Sequence, residues 1–495
     1  MSSYFENNIN SLVSIDSNGQ PSNGDSRNAS LSADAKHTAF VSVADNLDLL
    51  VLMYDIFVRD RADTVQTTRQ NLATDGPFPA PPNGPCCLDT QISANGRYVV
   101  FDSQAGNLVA GDTNVNHEEY YKGIQDIFVY DINTKAHVRV SVHSDGSQAD
   151  LRSDHGAISA DGRFVVFISG ADNLVTGDTN NVEDVFVLDR QTCHYQRVNI
   201  SSACAQVTET SNSTYAPAIS GDGRYVVFQS AADNLVADDS NGVTDIFVHD
   251  LQQEKTCRVS VANDGSQINA QSAYPVISDD GRYIAFVSRA SNLAPSGDFN
   301  DVLDIFRYDL VNKTLDLVSQ SSDGYIGNDH SNYPSISPDG RYVSFLSGAS
   351  NLVPDDWNRS SDIFLRDMQA GTTIRASVND AGTGGDDDSW SAAVTAVNGE
   401  PMVAFASNAK NLTPDIGALP EVFLYQPGTC DSFSVLHTST PIVEIQHWQC
   451  GSLEVTSGFE IGAGGYVTFE ADSIHLGAAF RVLEGGIFRA LKSSH

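Results

Sequence analysis

The chain has 495 residues, of which 41% are hydrophobic, so it can bury a large core and could hold two or three ordinary domains. Its 63 acidic residues outnumber its 28 basic residues, and the formal net charge of −35 argues against nucleic acid and anionic membrane surfaces as partners. Self-repulsion on this scale favours a cation-rich setting such as seawater, the cell exterior or the periplasm. We therefore expect a secreted, extracellular or periplasmic protein.

No apolar window reaches the length of about 18 residues that a membrane-spanning helix needs, so no membrane span is expected. The first residues, MSSYFENNINSLVSID, lack a basic region followed by an apolar run. We expect that any export signal was removed or lies outside this sequence.

Along the chain, a lone strand-like stretch comes first and a repeat follows. NSLVSIDSNGQ at 10–20 is typical of an outer β-strand with its turn, and no partner strands precede it. After it come seven copies of a unit of roughly 60 residues, which is within reach of propeller blades with loop insertions. Each copy has a hairpin pattern and then an acidic stretch that leads into an apolar strand. The hairpin patterns lie at 31–42, 92–103, 158–169, 219–230, 277–288, 336–347 and 395–407, and the acidic stretches begin at 45, 107, 173, 234, 292, 351 and 411.

One unit already indicates four strands. In ISADGRFVVFIS at 158–169, Asp-Gly between two apolar runs supplies a tight turn, which pairs strand a with strand b. DVFVLD at 184–189 gives strand c, and YQRVNI at 195–200, with the recurring RVSV-type pattern, gives strand d. A four-stranded unit with two apolar faces must stack on its neighbours, and closing the ring hides its edges.

The sequence thus predicts an all-β fold, a seven-bladed β-propeller of four-stranded antiparallel blades over residues 1–436. The strand near residue 10 is expected to complete the last blade. DSFSVL at 431–436 is the alternative outer strand for that blade.

The recurring S-x-D-G-R-Y-V-x-F-x-S hairpin followed by D-I-F-V-x-D resembles the WD-like propeller repeats of TolB-type bacterial proteins over roughly residues 26–430. The resemblance implies a propeller that serves as a protein-docking platform, a substrate filter on a peptidase or a stand-alone secreted module. No nucleophile-elbow sequence and no α/β-hydrolase segment follows the ring, which excludes the peptidase arrangement for this chain.

The tail, residues 437–495, alternates short strands with Gly turns. It resembles the small stacked-strand modules that close many secreted bacterial proteins, and Ala479 stands where their pattern has Gly. We expect a β-rich C-terminal module used for attachment or presentation. The matching residues are Phe480, Val482, Gly485, Gly486, Phe488 and Ala490.

The acidic stretches fall in the loops between strands b and c, so all of them should lie on one face of the ring. They share Asp-x-Asn and a later Asp that opens strand c. Oxygen-rich turns of this kind suit Ca²⁺, which takes six to eight oxygen ligands. The predicted calcium ligands are Asp112, Asn114, Asp126, Asp178, Asn180, Asp184, Asp239, Asn241, Asp245, Asp298, Asn300, Asp304, Asp356, Asn358 and Asp362.

Turn capping is the alternative, because Asp and Asn side chains readily bond their own backbone in turns. The first blade lacks Asp-x-Asn but keeps Asp55, and the seventh has only Asp415 and Glu421. The strand-opening acid is therefore interpreted as structural, and the Asp-x-Asn pair as the functional addition.

Other candidate groups are less specific. His155, His194, His249 and His330 lie in different blades without ligand-like spacing, and His249 is expected to pack in a strand. The insertion NHEEYYKG at 116–123 could be a binding contact or could serve a lyase. Among the cysteines, strand d separates Cys193 from Cys204 too far for a bridge, and Cys430 with Cys450 is the better pair.

These patterns predict a calcium-binding propeller that acts as a binding, scaffold or surface-structural protein, with a protein or carbohydrate ligand on the acidic loop face. Enzyme activity is not expected, and a polysaccharide lyase or hydrolase that uses the same face is the alternative. A third hypothesis is a self-assembling surface or filament subunit joined through the tail.

Overall fold

The structure, a computed structural model, describes residues 10–48, 54–61, 66–71, 86–113, 124–207, 217–294, 300–379, 382–413 and 419–427, and the backbone of short strands between 433 and 491. Side chains are described over the same ranges except at 86–89 and beyond 433. The described residues form strands and turns, and none of them belongs to a helix that could span a bilayer. The chain divides into two units, Met1–Gln426 and Pro427–His495.

The first unit holds seven sheets of four strands each, and neighbouring strands within every sheet are antiparallel. Blades one to three comprise β2 Ser26–Leu31, β3 His37–Ser42, β4 Asp55–Asp60, β5 Thr67–Arg69, β6 Cys86–Ile92, β7 Tyr98–Ser103, β8 Asp126–Asp131, β9 Ala136–Arg139, β10 Ser153–Ile158, β11 Phe164–Ser169, β12 Asp184–Asp189 and β13 His194–Arg197. Blades four to six comprise β14 Ala218–Ile219, β15 Tyr225–Ser230, β16 Asp245–Asp250, β17 Lys255–Arg258, β18 Ser272–Ile277, β19 Tyr283–Ser288, β20 Asp304–Asp309, β21 Thr314–Leu317, β22 Ser331–Ile336, β23 Tyr342–Ser347, β24 Asp362–Asp367 and β25 Thr372–Arg375.

The seventh blade is built from both ends of this unit. It contains β26 Ser389–Val397, β27 Glu400–Ser407 and β28 Glu421–Tyr425, and its outer strand is β1 Asn10–Leu12. Asn10 pairs with Tyr425 and Leu12 with Phe423 in antiparallel register. The predicted seven-bladed propeller, closed by the N-terminal strand, is therefore confirmed.

The core lies between blades. Every blade places one stacked phenylalanine pair on strands b and c, and in blade three the ring centroids of Phe167 and Phe186 are 5.9 Å apart. The side chains around each pair come from two adjacent blades, because apolar residues on both faces of each sheet need a neighbour to bury them.

The turn between strands a and b carries the Asp-Gly-Arg triplet. In blade three the Ser159 hydroxyl donates to Asp161 and accepts the amide of Phe164, and Gly162 adopts φ +79°. The ring of Tyr98, from the preceding blade, lies where a β-carbon on Gly162 would be. Glycine is thus required here both for the backbone angle and for the contact between blades.

In the second unit the described strands pair in parallel. They are β29 Phe433–Val435, β30 Ile445–Gln449, β31 Ser452–Val455, β32 Glu460–Ile461, β33 Tyr466–Glu470, β34 Ser473–Leu476, β35 Arg481–Val482 and β36 Ile487–Leu491. β30, β33 and β36 begin at residues 445, 466 and 487 and pair in sequence order, so the strands repeat at a constant spacing. The predicted domain boundary at 436 and the alternative outer strand at 431–436 both lie in this second unit.

Candidate ligand-binding face

The loops between strands b and c interlock with the loops that join strand d to the next blade. The side-chain amide of Gln148 donates to the carbonyl of Gly111 and, at 2.6 Å, to the hydroxyl of Thr113. Asn173, from the following blade, donates to the carbonyl of Gln148 at 2.8 Å. Both sets of loops therefore form one continuous surface, which we call the loop face.

On the loop face, the predicted calcium ligands meet an arginine. In blade three, Arg197 Nη1 lies 2.6 Å from Asp178 Oδ1 and 3.1 Å from Asp184 Oδ2. The same arrangement recurs in three other blades, with Arg139 at Asp112 and Asp126, Arg258 at Asp239 and Asp245, and Arg375 at Asp356 and Asp362. In these blades a guanidinium supplies positive charge between the two carboxylates.

The asparagine of Asp-x-Asn has a structural contact of its own. Asn358 Nδ2 donates to Asp362 at 2.7 Å and to the carbonyl of Gly385 at 2.9 Å, which ties the loop to its neighbour. Asn241 bonds Asp245 and Ile268 in the same way. Here the amide group donates hydrogen bonds to the acid.

The acids that open strand c are almost completely buried, as their structural interpretation implies. Each accepts a hydrogen bond from a side chain that follows strand d, as Asp184 does from Asn199 at 2.6 Å. The corresponding pairs are Asp55 with Asn71, Asp126 with Ser141, Asp245 with Ser260, Asp304 with Ser319, Asp362 with Ser377 and Glu421 with Ser14.

Two acids share one arginine, so one negative charge remains uncompensated in a partly buried place. Burial and the neighbouring charge of Asp184 raise the pKa of Asp178 to about 6, against the lowering effect of Arg197. Burial likewise raises the pKa of Asp184 and of Asp239. A proton taken up by Asp178 as the pH falls towards 6 would remove the uncompensated charge at its own site.

The fifth blade differs, because Leu317 takes the place of the arginine. There Asn300 donates to the carbonyl of Gly327 at 2.8 Å, and Asp304 accepts from Ser319 at 2.5 Å. Asp298 and, in blade two, Asn114 lie outside the described residues. In the other four loops the positive charge of the guanidinium would repel a calcium ion, and in the fifth loop this repulsion is absent.

No group of three or more His, Cys, Asp or Glu side chains suited to a metal occurs within the described ranges. Calcium binding accordingly stays a prediction. His249 is fully buried with Nδ1 2.9 Å from the Thr256 hydroxyl, and burial lowers its pKa, as expected for a packing residue. Cys193 and Cys204 carry free thiols. The Cys430–Cys450 pair and the insertion at 116–123 lie outside the described residues.

A second feature of the loop face lies at its axis. In five of the blades, strand a has a register shift near its start, and at the shift a non-glycine residue adopts a left-handed conformation with φ of 50° to 54°. The described residues at this position are Asn28, His155, Tyr274, Tyr333 and Ser391. Because strand a is the innermost strand, these residues surround the axial mouth of the ring.

Two of these residues form an exposed aromatic pair. The rings of Tyr274 and Tyr333 come from adjacent blades, lie 5.0 Å apart between centroids, and are 38% and 50% exposed. Between the next two blades of the same rim, Ser391 of blade seven donates to Asn28 of blade one at 2.9 Å. Bulky residues adopt this backbone conformation rarely, and such residues cluster at ligand sites.

The exposed charge around the mouth is acidic. In the described part of the b–c and d–a loops, thirteen aspartates are exposed against three arginines and one lysine. The aspartates are Asp45, Asp145, Asp150, Asp233, Asp238, Asp264, Asp301, Asp323, Asp329, Asp355, Asp386, Asp387 and Asp388. The loop face therefore attracts cations and repels anions.

Sequence reasoning missed the arginines on both faces. On the opposite face, Arg163 of the Asp-Gly-Arg turn makes a two-pronged ion pair with Asp189 at the end of strand c, at 2.9 and 2.7 Å. Both arginines recur in the repeat, one at the start of the RVSV-type pattern and one directly after the turn glycine. Their pairing with a specific acid required the three-dimensional register.

No protein-family model matches the chain, and no curated protein matches it. Solved structures, in contrast, do match this chain. TolB from Acinetobacter baumannii is 15% identical over 69% of this chain and 63% of its own, with a TM-score of 0.38, so the match spans less than two thirds of that protein. An oligogalacturonate lyase from Vibrio parahaemolyticus is 12% identical over 82% and 92%, with a TM-score of 0.48.

The β-propeller domain of the Trilobed protease from Pyrococcus furiosus is 11% identical over 81% of this chain and 95% of its own, with a TM-score of 0.46. The described strands form seven four-stranded blades, so the chain is a seven-bladed β-propeller. The solved structures similar to it include TolB proteins.

Proposed function

We propose that the protein is a binding propeller that receives a cationic ligand, a basic peptide segment of a protein partner, at the axial mouth of its loop face. The observation that carries the proposal is the exposed pair Tyr274 and Tyr333, held in left-handed conformations inside an acidic surface.

The chemistry of the two tyrosines matches such a ligand. A Lys or Arg side chain over a tyrosine face gains about 0.5 to 2 kcal/mol, and nearby carboxylates add long-range attraction. Tyrosine pays little conformational entropy on binding and is common at the centre of interfaces. The exposed aspartates of the loop face would speed the encounter and favour basic over acidic partners.

We place this activity outside the cytoplasm, in the periplasm or the extracellular medium, because the net charge of −35 suits a cation-rich setting. Calcium belongs to the proposal only for the fifth-blade loop, where Leu317 replaces the arginine found beside the other four Asp-x-Asn loops. A carbohydrate is the second candidate ligand, because a paired, exposed aromatic surface can also stack on sugar rings.

The test is fluorescence anisotropy with a labelled hexa-arginine peptide, a hexa-glutamate peptide and a neutral hexasaccharide. The variant Tyr274→Ala/Tyr333→Ala is expected to weaken hexa-arginine binding about tenfold, in line with cation–π energies. The matched control is Tyr325→Ala/Trp357→Ala, which removes two aromatics that are 69% and 82% exposed in loops away from the axis.

An unchanged affinity in the axial variant would mean that charge alone attracts the peptide, and equal losses in both double variants would mean that aromatic contacts anywhere on the loop face suffice. Either result would overturn the axial site. Salt-independent binding of the hexasaccharide that depends on the two axial tyrosines would favour the carbohydrate. Binding of hexa-glutamate at comparable strength would contradict both versions.

A further inference from the structure

A groove of about 380 Å³ lies at the outer edge of the ring, between blades five and six. Blade five lines it with β21 and the loop that follows β21, and blade six lines it with Arg366 and Met368. The side chains of Leu315 and Leu317 pack in the core between blades four and five, so the groove is not an apolar slot. Its volume lies in the usual range for small-molecule sites.

Arg366 is the buried cation of this groove. It is only 7% exposed, and its Nη1 donates to the hydroxyl of Thr373 at 2.9 Å and to the carbonyl of Ser321, in blade five, at 3.1 Å. One nitrogen of the guanidinium therefore joins the two blades. The other two nitrogens, Nε and Nη2, donate to no acceptor among the residues that the structure describes.

The carboxylates around Arg366 are bound to other arginines. Asp367, the next residue in the chain, holds Arg341 through two hydrogen bonds of 3.1 and 2.7 Å. Asp316, which also lines the groove, pairs with Arg307 at 3.1 Å. Within the described part of the chain, Arg366 forms no ion pair with an acid. A guanidinium cannot lose its proton in a protein, so this buried charge calls for an anion from outside.

The side of the guanidinium that bears Nε and Nη2 is the side that binds a carboxylate elsewhere in this protein. In the Asp-Gly-Arg turn of blade three, the same two nitrogens of Arg163 hold Asp189. Beside Nη2 of Arg366 stands Gly371, where a β-carbon would lie 3.9 Å from that nitrogen. Blades two to five carry side chains at the corresponding position, namely Lys135, Cys193, Glu254 and Lys313. Glycine thus leaves Nη2 uncovered.

We propose that this groove binds a small organic monocarboxylate, with Arg366 as its counterion. The carboxylate accepts a charge-assisted hydrogen bond from Nη2 and neutralises the guanidinium. A short polar body with an amide group suits the mixed lining, because Asp316 and Gln320 can bond it beside Met368. A dianion such as phosphate is disfavoured, since the net charge of −35 repels it more strongly. The site lies outside the ring and does not depend on the tyrosine pair at the axis.

The test is calorimetric titration of the full chain, at neutral pH and constant ionic strength, with N-acetylglycine, with its neutral analogue N-acetylglycinamide and with inorganic phosphate. Wild type is expected to bind N-acetylglycine saturably and about tenfold or more tightly than the amide, because a hydrogen bond to a charged group is a strong one. Phosphate binding of equal or greater strength would overturn the assignment to a monocarboxylate.

Gly371→Asp tests the site without removing Arg366 or its bonds to blade five. It places a carboxylate of the protein beside Nη2, so binding of N-acetylglycine should be lost. Gly371→Asn has the same shape without the charge and should retain most of the binding. Both residues tolerate the left-handed backbone of this position better than other side chains do.

Arg366→Leu tests the guanidinium directly and should also abolish the preference for the acid over the amide. Leu188 stands at the same position in blade three, so the variant is expected to fold. The matched control is Arg59→Leu, which removes an equally buried arginine from the same position in blade one and should leave binding unchanged.

Equal affinity of wild type for N-acetylglycine and its amide would overturn the proposal, and so would unchanged binding in Gly371→Asp or in a folded Arg366→Leu. Equal weakening in Arg59→Leu would show that only net charge matters and would overturn it as well. A parallel titration with acetyl-Ala-Gly-Gly, which ends in a free carboxylate, separates two sources of the same group. Comparable binding would extend the site to the C-terminus of a partner chain, and binding of N-acetylglycine alone would restrict it to small free acids.

Discussion

Arg197 Nη1 lies 2.6 Å from Asp178 Oδ1, and this ion pair occupies the position for which the sequence suggested a calcium ion. The side chains of Arg197 and Asp178 are only 10% and 2% exposed, so the pair is shielded from solvent. Removing one partner of a buried ion pair leaves the other partner as an uncompensated buried charge.

We therefore expect Arg197→Leu to destabilise the propeller by about 3 kcal/mol, because two buried carboxylates would lose their counterion. The loss should be larger at pH 8 than at pH 5, where the acids can take up protons. The measurement is chemical unfolding at both pH values. Asp178→Asn in the same background should recover most of the loss. The comparison variant is Arg163→Leu, which removes the ion pair with Asp189. Because the Arg163 side chain is 40% exposed, this change should lower the free energy of unfolding by about 1 kcal/mol or less. Equal losses for Arg197→Leu and Arg163→Leu would contradict the assigned role.

Glu421 gives the ring closure a dependence on pH. Its carboxylate accepts hydrogen bonds from Ser14 and Ser22, and burial raises its pKa from 4.5 to about 7, with the charge of Asp25 adding to the effect. The folded state therefore holds its proton more tightly than the unfolded state. The tighter proton binding adds about 3 kcal/mol to the free energy of unfolding below pH 4.5, and this stabilisation is lost as the pH rises through 7.

Glu421→Gln should remove this part of the pH dependence and raise stability above pH 7. The measurement is the difference in unfolding free energy between wild type and variant from pH 4 to pH 8. Glu400→Gln, at an exposed position in the same blade, should leave the profile unchanged. A constant difference between wild type and Glu421→Gln would show that Glu421 does not titrate in this range.

The contact between Tyr98 and Gly162 can be separated from backbone strain by a pair of variants. Gly146 has φ +86°, and no atom lies within 4 Å of the place that a β-carbon would take there, so Gly146→Ala should lose only about 1 to 2 kcal/mol from the left-handed backbone. Gly162→Ala has the same strain and in addition a steric overlap with Tyr98, so it should lose clearly more. Thermal unfolding of the two variants tests this. Similar midpoints would show that the ring moves aside without cost.

Calcium is expected to act through the fifth-blade loop. CaCl₂ should raise the unfolding midpoint above that in NaCl of equal ionic strength, and EDTA should reverse the gain. At a hundredfold excess over the dissociation constant the gain is about 2.7 kcal/mol. Both Asp304→Asn and Leu317→Arg should abolish it, the latter because it installs the arginine that stands beside the other four Asp-x-Asn loops. A gain that survives both variants, or the same effect from NaCl, would remove calcium from this loop.

The fold was predictable because each unit repeats the same local signals. Asp-Gly at a turn, as at Gly162, and alternating apolar strands appear in almost every copy, and the unpaired strand at Asn10 indicated how the ring closes. The site was predictable only in part. Composition revealed the acidic face, but it could not show that Arg197 reaches across from strand d to Asp178. The left-handed conformation of Tyr274 depends on a register shift that the sequence pattern does not encode.

The pairing of Asn10 with Tyr425 also constrains the order in which the protein can be made. Blades one to six can form from contacts that are close in sequence as the ribosome delivers them. β1 leaves the ribosome early, yet its partner β28 follows only after another 400 or so residues, a delay of roughly 20 to 80 s at ordinary rates of synthesis. During that interval the first strand has an open edge and the ring is an incomplete arc. We therefore expect closure of the last blade to be the final step in folding of the ring, and the time before it to be the period of greatest exposure to aggregation.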